Sequence, residues 1–197
     1  MSTVQIVSWI VVAVLVFWAV GAYNRLVRLR NVIGNAFAQI DVQLKRRYDL
    51  IPNLVEVARK YAAHERETLE AVTAARNQAK AAADAARARP TTAGTVTSLA
   101  MAEQVLGGAM GRLMALAEAY PELKADQSLR ELAEELTSTE NRIAFARQLF
   151  NDATLDYNTN AQQFPTSLMA HLFGFREAAM LQATSGDAER APVRVQL

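Results

Sequence analysis

The chain has 197 residues, 51% of them apolar, a formal net charge of +1 and no cysteine. A charge near zero provides no basic field for nucleic acid, and the lack of cysteine excludes disulfides and thiolate metal sites. Because good helix formers dominate and period-two alternation is almost absent, we predict an all-α fold with no nucleic-acid partner.

The first element is an apolar run from Val4 to Tyr23 without a charged residue. A helix of about 20 residues rises about 30 Å, which matches the hydrocarbon core of a bilayer. A cleaved signal peptide needs a basic start and a shorter apolar core, and the first three residues contain no Lys or Arg. We therefore predict an uncleaved transmembrane anchor over residues 1–23. Its predicted interfacial aromatic residues are Trp9, Trp18 and Tyr23.

Three arginines, Arg25, Arg28 and Arg30, follow the anchor directly. The positive-inside rule predicts that the N-terminus lies outside and the body lies in the cytoplasm. The same arginines are predicted to contact lipid head groups at the membrane interface.

The next element is a predicted helix over residues 24–50 that continues from the anchor. Its apolar residues recur in alternating steps of three and four, which indicates one buried face in a helical bundle. The members of this stripe are Leu26, Leu29, Ile33, Ala36, Phe37, Ile40 and Leu44.

The stretch RRYDLIPNLV, residues 46–55, places Pro52 inside this pattern. Proline removes the hydrogen bond to the carbonyl four residues earlier and disfavours helix in the residue before it. Two interpretations stay open, a chain reversal and a kink in one continuous helix. A four-helix bundle favours the reversal, with Asp49, Pro52 and Asn53 at the turn. Arg46 and Arg47 would then lie at an exposed corner about 35 Å from the anchor, as possible partner contacts.

A second helix is predicted over residues 52–89, and its Ala-rich end over 79–90 is expected to bury little. A third follows over 96–119. Its glycines, Gly107, Gly108 and Gly111, either let a neighbouring helix approach closely or form a hinge. The fourth, over 128–164, begins with the capping box Ser128-Leu129-Arg130-Glu131 and has a long apolar seam. Together with the body of the first helix, these predict an antiparallel four-helix bundle over 24–164.

An apolar segment follows over residues 165–181, and a polar tail predicted to be disordered follows over 182–197. The segment either folds back to cap the bundle or lies on the membrane or a partner. Its possible partner contacts are Leu172, Phe173 and Phe175.

Motifs for chemistry are missing from the sequence. His64-Glu65 lacks the second histidine of a zinc site one turn later, and the chain has no E-x-x-H and no phosphate-binding loop motif. We therefore predict no catalytic, metal or cofactor site, and no enzyme.

Several blocks in this order resemble the LemA family: LKRRYDLIPNLVEVARKY, YPELKAD, ENRIAFARQLFND, YNTNAQQFP and LFGF. The resemblance implies a bacterial protein of the cytoplasmic (inner) membrane with one N-terminal span and a four-helix body. It supplies no catalytic residues.

These features predict a self-assembling scaffold that organises or remodels the membrane, with the lipid bilayer and further copies of the chain as partners. The alternative is a regulatory adaptor of a membrane protease or transporter.

Overall fold

The structure, a computed structural model, describes residues 2–181. This part of the chain is helical without a strand, which confirms the all-α fold. The predicted tail over 182–197 lies outside the described residues. The six helices are α1 (Thr3–Tyr61), α2 (Arg66–Ala88), α3 (Ala93–Ala119), α4 (Pro121–Ala125), α5 (Gln127–Gln162) and α6 (Thr166–Leu172).

Helix α1 has 59 residues and rises about 88 Å. Its N-terminal third is apolar, with a mean hydropathy of 2.3, and nothing in the described chain covers it. Within residues 2–181, α1 is the helix long and apolar enough to cross a membrane. Burial begins at Ala22, and the predicted stripe from Leu26 to Leu44 then faces the core.

The predicted reversal at Pro52 is wrong, because α1 continues through Pro52 to Tyr61 and the turn lies at residues 62–65. Pro52 leaves the carbonyl of Tyr48 without its helical donor. Arg76 of α2 supplies one, since its Nε donates a hydrogen bond of 2.9 Å to that carbonyl. The predicted second helix over 52–89 is therefore divided between the end of α1 and α2.

The long helices run alternately up and down. Phe37 of α1 contacts Phe150 of α5 edge to face, with ring centroids 5.8 Å apart, and α2 returns along α1 to place Arg87 beside Asp41. Helix α3 packs on α2 and rises again. The α2–α3 turn lies beside residues 30–35 of α1. Between this turn and the apolar N-terminal part of α1, the folded body consists of α1, α5 and the chain that follows α5.

The far end of the body is held by the residues between α3 and α5. Tyr61 donates to Asp126 Oδ2 at 2.8 Å, and Asp126 Oδ1 accepts from the Leu129 amide at 3.1 Å. Asp126 is thus the N-cap of α5 in place of the predicted capping box, and α5 begins one residue before Ser128.

Small residues behave differently from prediction in two helices. The Ala-rich end of α2 is not peripheral, because Ala79, Ala83 and Ala86 are fully buried. The glycines of α3, by contrast, are exposed. A side chain added at Gly107, Gly108 or Gly111 would meet no atom of another helix within 4 Å, and α3 is uninterrupted there. The predicted close approach of another helix to these glycines is therefore wrong for the described chain.

The bond between Arg76 and the Tyr48 carbonyl makes a testable prediction. Replacing Arg76 by Met keeps the apolar stem but leaves a carbonyl unpartnered, which costs about 1–3 kcal/mol of unfolding free energy. In a Pro52→Ala background the new amide can bond to the same carbonyl, so Arg76→Met should cost less there. Urea unfolding of the detergent-solubilised chain, followed by circular dichroism, gives both values.

Arg66 provides the control, because it is exposed on the same helix and pairs with Glu70 one turn away. Arg66→Met should change the unfolding free energy by less than about 0.5 kcal/mol in either background. Equal costs for Arg76→Met in the two backgrounds would mean that the bond does not compensate for the proline.

Candidate functional sites: a buried ion network and an apolar foot

A network of charged side chains crosses the middle of the bundle. Arg47 of α1 and Glu103 of α3 are both buried, and Arg47 Nη1 donates to Glu103 Oε2 at 2.6 Å. The hydroxyl of Tyr48 donates to the other oxygen of the same carboxylate. On the α5 side, Arg47 Nε lies 2.8 Å from Glu140 Oε1, an ion pair whose N–H is not aligned for a hydrogen bond. The network joins α1, α3 and α5.

Burial dominates the electrostatics of this ion network. Burial raises the pKa of Glu140. The Glu103 carboxylate also raises this pKa, whereas the Arg47 guanidinium lowers it. Burial lowers the pKa of the nearby Arg147, against the attraction of Glu103 and Glu140. The pKa of Tyr48 is raised by burial and by the adjacent Glu103 carboxylate. Both Glu103 oxygens are occupied by protein donors, so the arrangement is suited to fixing helix positions rather than to moving protons.

This geometry corrects the prediction for the cationic stretch. Arg47 is buried inside the bundle and therefore offers no surface to a partner. Arg46, one residue earlier, is exposed and pairs with Glu135 of α5 at 2.6 Å. Asp49, Pro52 and Asn53 lie on the exposed side of α1, where no turn occurs.

A second buried carboxylate connects α1 to α2. Arg87 makes a two-pronged contact with Asp41, from Nε to Oδ2 at 2.8 Å and from Nη2 to Oδ1 at 2.7 Å, and Lys45 lies 2.9 Å from Oδ2. Burial alone would raise the pKa of Asp41, but the hydrogen bonds from Arg87 and Lys45 outweigh it and hold the pKa below its ordinary value.

At the other end of the body, aromatic side chains meet where the apolar part of α1 ends. Tyr23 contacts Phe173 and Phe175 edge to face, with ring centroids 4.9 and 5.6 Å away. Helix α6 packs on both α1 and α5, so the segment after α5 folds back onto the body, the first of the two predicted alternatives. Phe175 is half-buried, whereas Leu172 and Phe173 are exposed.

We call residues 164–173 the foot and residues 175–181 the strap. The strap has no regular secondary structure and runs along α5, where asparagine side chains hold its backbone. Asn158 exchanges two hydrogen bonds of 2.9 Å with Ala178, and Asn151 exchanges two of 2.9 Å with Leu181. The Tyr157 hydroxyl donates to the carbonyl of Arg176 at 2.9 Å.

The remaining predicted interface residues lie along α1, with Trp18 and the three arginines near this end and Trp9 about 21 Å from Tyr23. Trp9, Trp18 and Tyr23 are exposed on α1, as are Arg25, Arg28 and Arg30. The strap contacts were missed by sequence reasoning. Their signal is a pair of asparagines, Asn151 and Asn158, seven residues apart on one helix face.

Comparison with known proteins identifies a family and several relatives. The model of the LemA family matches residues 36–197. Magnetosome proteins MamQ 1 and MamQ 2 of Paramagnetospirillum magneticum are each 25% identical over 178 residues, covering 81% of this chain and 64% of the relative. Magnetosome protein MamQ of Magnetospirillum gryphiswaldense is 25% identical over 172 residues, covering 78% and 62%. The chain thus spans less than two thirds of these relatives.

The ion network predicts a contrast between two adjacent arginines. Arg47→Met leaves Glu103 buried without its cation and should lower the unfolding free energy by about 3–5 kcal/mol. Arg46→Met removes only an exposed pair and should cost at most about 1 kcal/mol. Denaturant titration of the solubilised protein measures both. Similar costs at the two positions would contradict the assigned role of Arg47.

Asp41 predicts a pH dependence. A carboxylate whose pKa is lower in the folded state stabilises the fold above its unfolded pKa, and this stabilisation is lost as pH falls through the folded pKa. The unfolding free energy of the natural chain should therefore exceed that of Asp41→Asn at neutral pH, and the gap should narrow below about pH 4. Thermal unfolding across this range tests the sign, and a gap that widens on acidification would refute it.

Proposed function

Because the chain belongs to the LemA family, we propose that it is a single-pass membrane protein whose body assembles side by side with further copies as a scaffold. The proposed location is the bacterial cytoplasmic membrane, with the N-terminus outside. The uncovered apolar length of α1 and the exposed arginines that follow it support this topology.

The observation that carries self-assembly is a groove on the outer side of the α1–α5 pair, lined by polar side chains of both helices and by apolar side chains of α5. Its volume is about 510 Å³, and Phe145 and Leu149 of α5 line it while exposed to solvent. Exposed apolar side chains grouped in this way are typical of protein–protein contacts.

The geometry of α1 favours a second copy over an unrelated partner. The groove lies beside residues 39–43 of α1, about 25–30 Å along the helix from Tyr23. Copies anchored in the same orientation in one membrane carry the groove at the same height, so a two-fold contact needs no tilt. Confinement to the membrane also raises the effective concentration of the copies.

A charge in the groove should separate the copies. Phe145→Glu places a carboxylate in each copy of the contact, where like charges and desolvation oppose association. We expect a several-fold weaker self-association of the full chain in detergent, measured by light scattering over a range of protein concentrations. Met101→Glu is the matched control, since Met101 is 57% exposed on α3 and Phe145 is 64% exposed.

The natural chain and Met101→Glu should form the same assembly, and Phe145→Glu should shift to smaller particles. A natural chain that is monomeric at every concentration would contradict the scaffold. Association with a different protein in place of a second copy would support the regulatory adaptor instead.

A further inference from the structure

The foot exposes large apolar side chains although the chain around it is fully folded. Phe164 is 81% exposed, Leu172 74%, Leu168 60% and Phe173 54%. Met169 and Ala170, between them, are buried against the body. Helix α6 therefore carries apolar side chains on both its inner and its outer face. The outer face lacks a partner in residues 2–181.

The foot lies beside the end of the apolar run of α1. Phe173 contacts Tyr23, which is the last residue of the apolar run of α1. Folded back against α1 and α5, α6 lies at the level where the proposed span leaves the bilayer. Aromatic residues are favoured at this depth, in the zone between the hydrocarbon and the head groups. The foot is continuous with the apolar surface of the proposed span.

The strap holds the foot at this level. Asn151 and Asn158 are seven residues apart on α5, a rise of about 10 Å, and their partners Leu181 and Ala178 are three residues apart in extended chain, also about 10 Å. The match lets both asparagines bond to the strap without distortion. The chain on either side of the foot is thus anchored to α5, so its apolar side chains are fixed outward rather than free to retract.

We propose that the foot inserts into the interfacial zone of the membrane leaflet on the side of the body, as a second apolar contact beside the span. The proposal rests on the proposed membrane topology. Its ligand is a lipid surface, because a second copy or another protein covering the foot would have to replace lipid next to Tyr23. Arg25 and Arg28, exposed one turn further along α1, favour anionic head groups at the same depth.

Spin labels test this directly, because the natural chain has no cysteine and each label site is unique. The full chain is prepared as Phe164→Cys or Leu172→Cys and reconstituted into vesicles of phosphatidylethanolamine and phosphatidylglycerol. Collision rates with oxygen, which partitions into lipid, and with a water-soluble nickel chelate report the surroundings of each label. We expect a several-fold higher oxygen-to-nickel ratio at both foot positions than at Met101→Cys on α3.

Val11→Cys, in the middle of the apolar run, separates the two proposals. A lipid signal at Val11 with a water signal at the foot overturns the foot and leaves the membrane anchor intact. Water signals at Val11 and at the foot overturn both. Labels at the foot that are protected from both reagents mean that protein, rather than lipid, covers it, and this result also overturns the proposal.

Discussion

The continuity of α1 through Pro52 depends on one backbone carbonyl. Pro52 removes the helical donor of the Tyr48 carbonyl, and a free carbonyl inside a bundle would favour a bend or break at this point. Arg76 donates to it from α2, so α1 stays helical to Tyr61. This single contact replaces the hydrogen bond that the proline removes. It also fixes the position of α2 along the axis of α1. The remaining helices then pack against a continuous rod.

The apolar contacts of α2 do not by themselves specify its axial position relative to the neighbouring helices. Helix α2 presents Ala75, Ala79 and Ala83 at intervals of four residues, and a shift by about one turn would place similar methyl groups in similar positions. Polar contacts remove this ambiguity. The two-pronged pair of Arg87 with Asp41 and the pair of Arg47 with Glu103 each fit one register. We attribute to these buried charges a role in selecting the register, at some cost in stability.

Much of the helical content could be predicted, because periodic apolar residues describe a buried face whatever its partner. The seam of α5 from Leu129 to Tyr157 is an example, while Phe164, at its predicted end, is exposed. Contacts between distant residues could not be predicted. The three-four spacing continues from Leu44 to Arg47 and not to Arg46, but the buried partner that an arginine on this face needs, Glu103, lies 56 residues away and could not be identified from the sequence. The proline had two solutions, and the donor that decides between them, Arg76, lies 28 residues away from the Tyr48 carbonyl.

The proposed foot and groove have consequences that follow from their order along α1. The foot lies beside the end of the proposed span, and the groove lies about 25–30 Å further along α1 from that end. Inserted apolar side chains would add area to the leaflet on the side of the body and none to the opposite leaflet. Contacts through the groove would meanwhile hold neighbouring bodies at a fixed spacing above that leaflet. If neighbouring bodies are held closer together, the leaflet has less room to expand sideways. More of the area added by the foot must then be accommodated by bending the membrane. Curvature would then depend on the balance of these two contacts, with the foot expanding one leaflet and the groove limiting how far the bodies can separate.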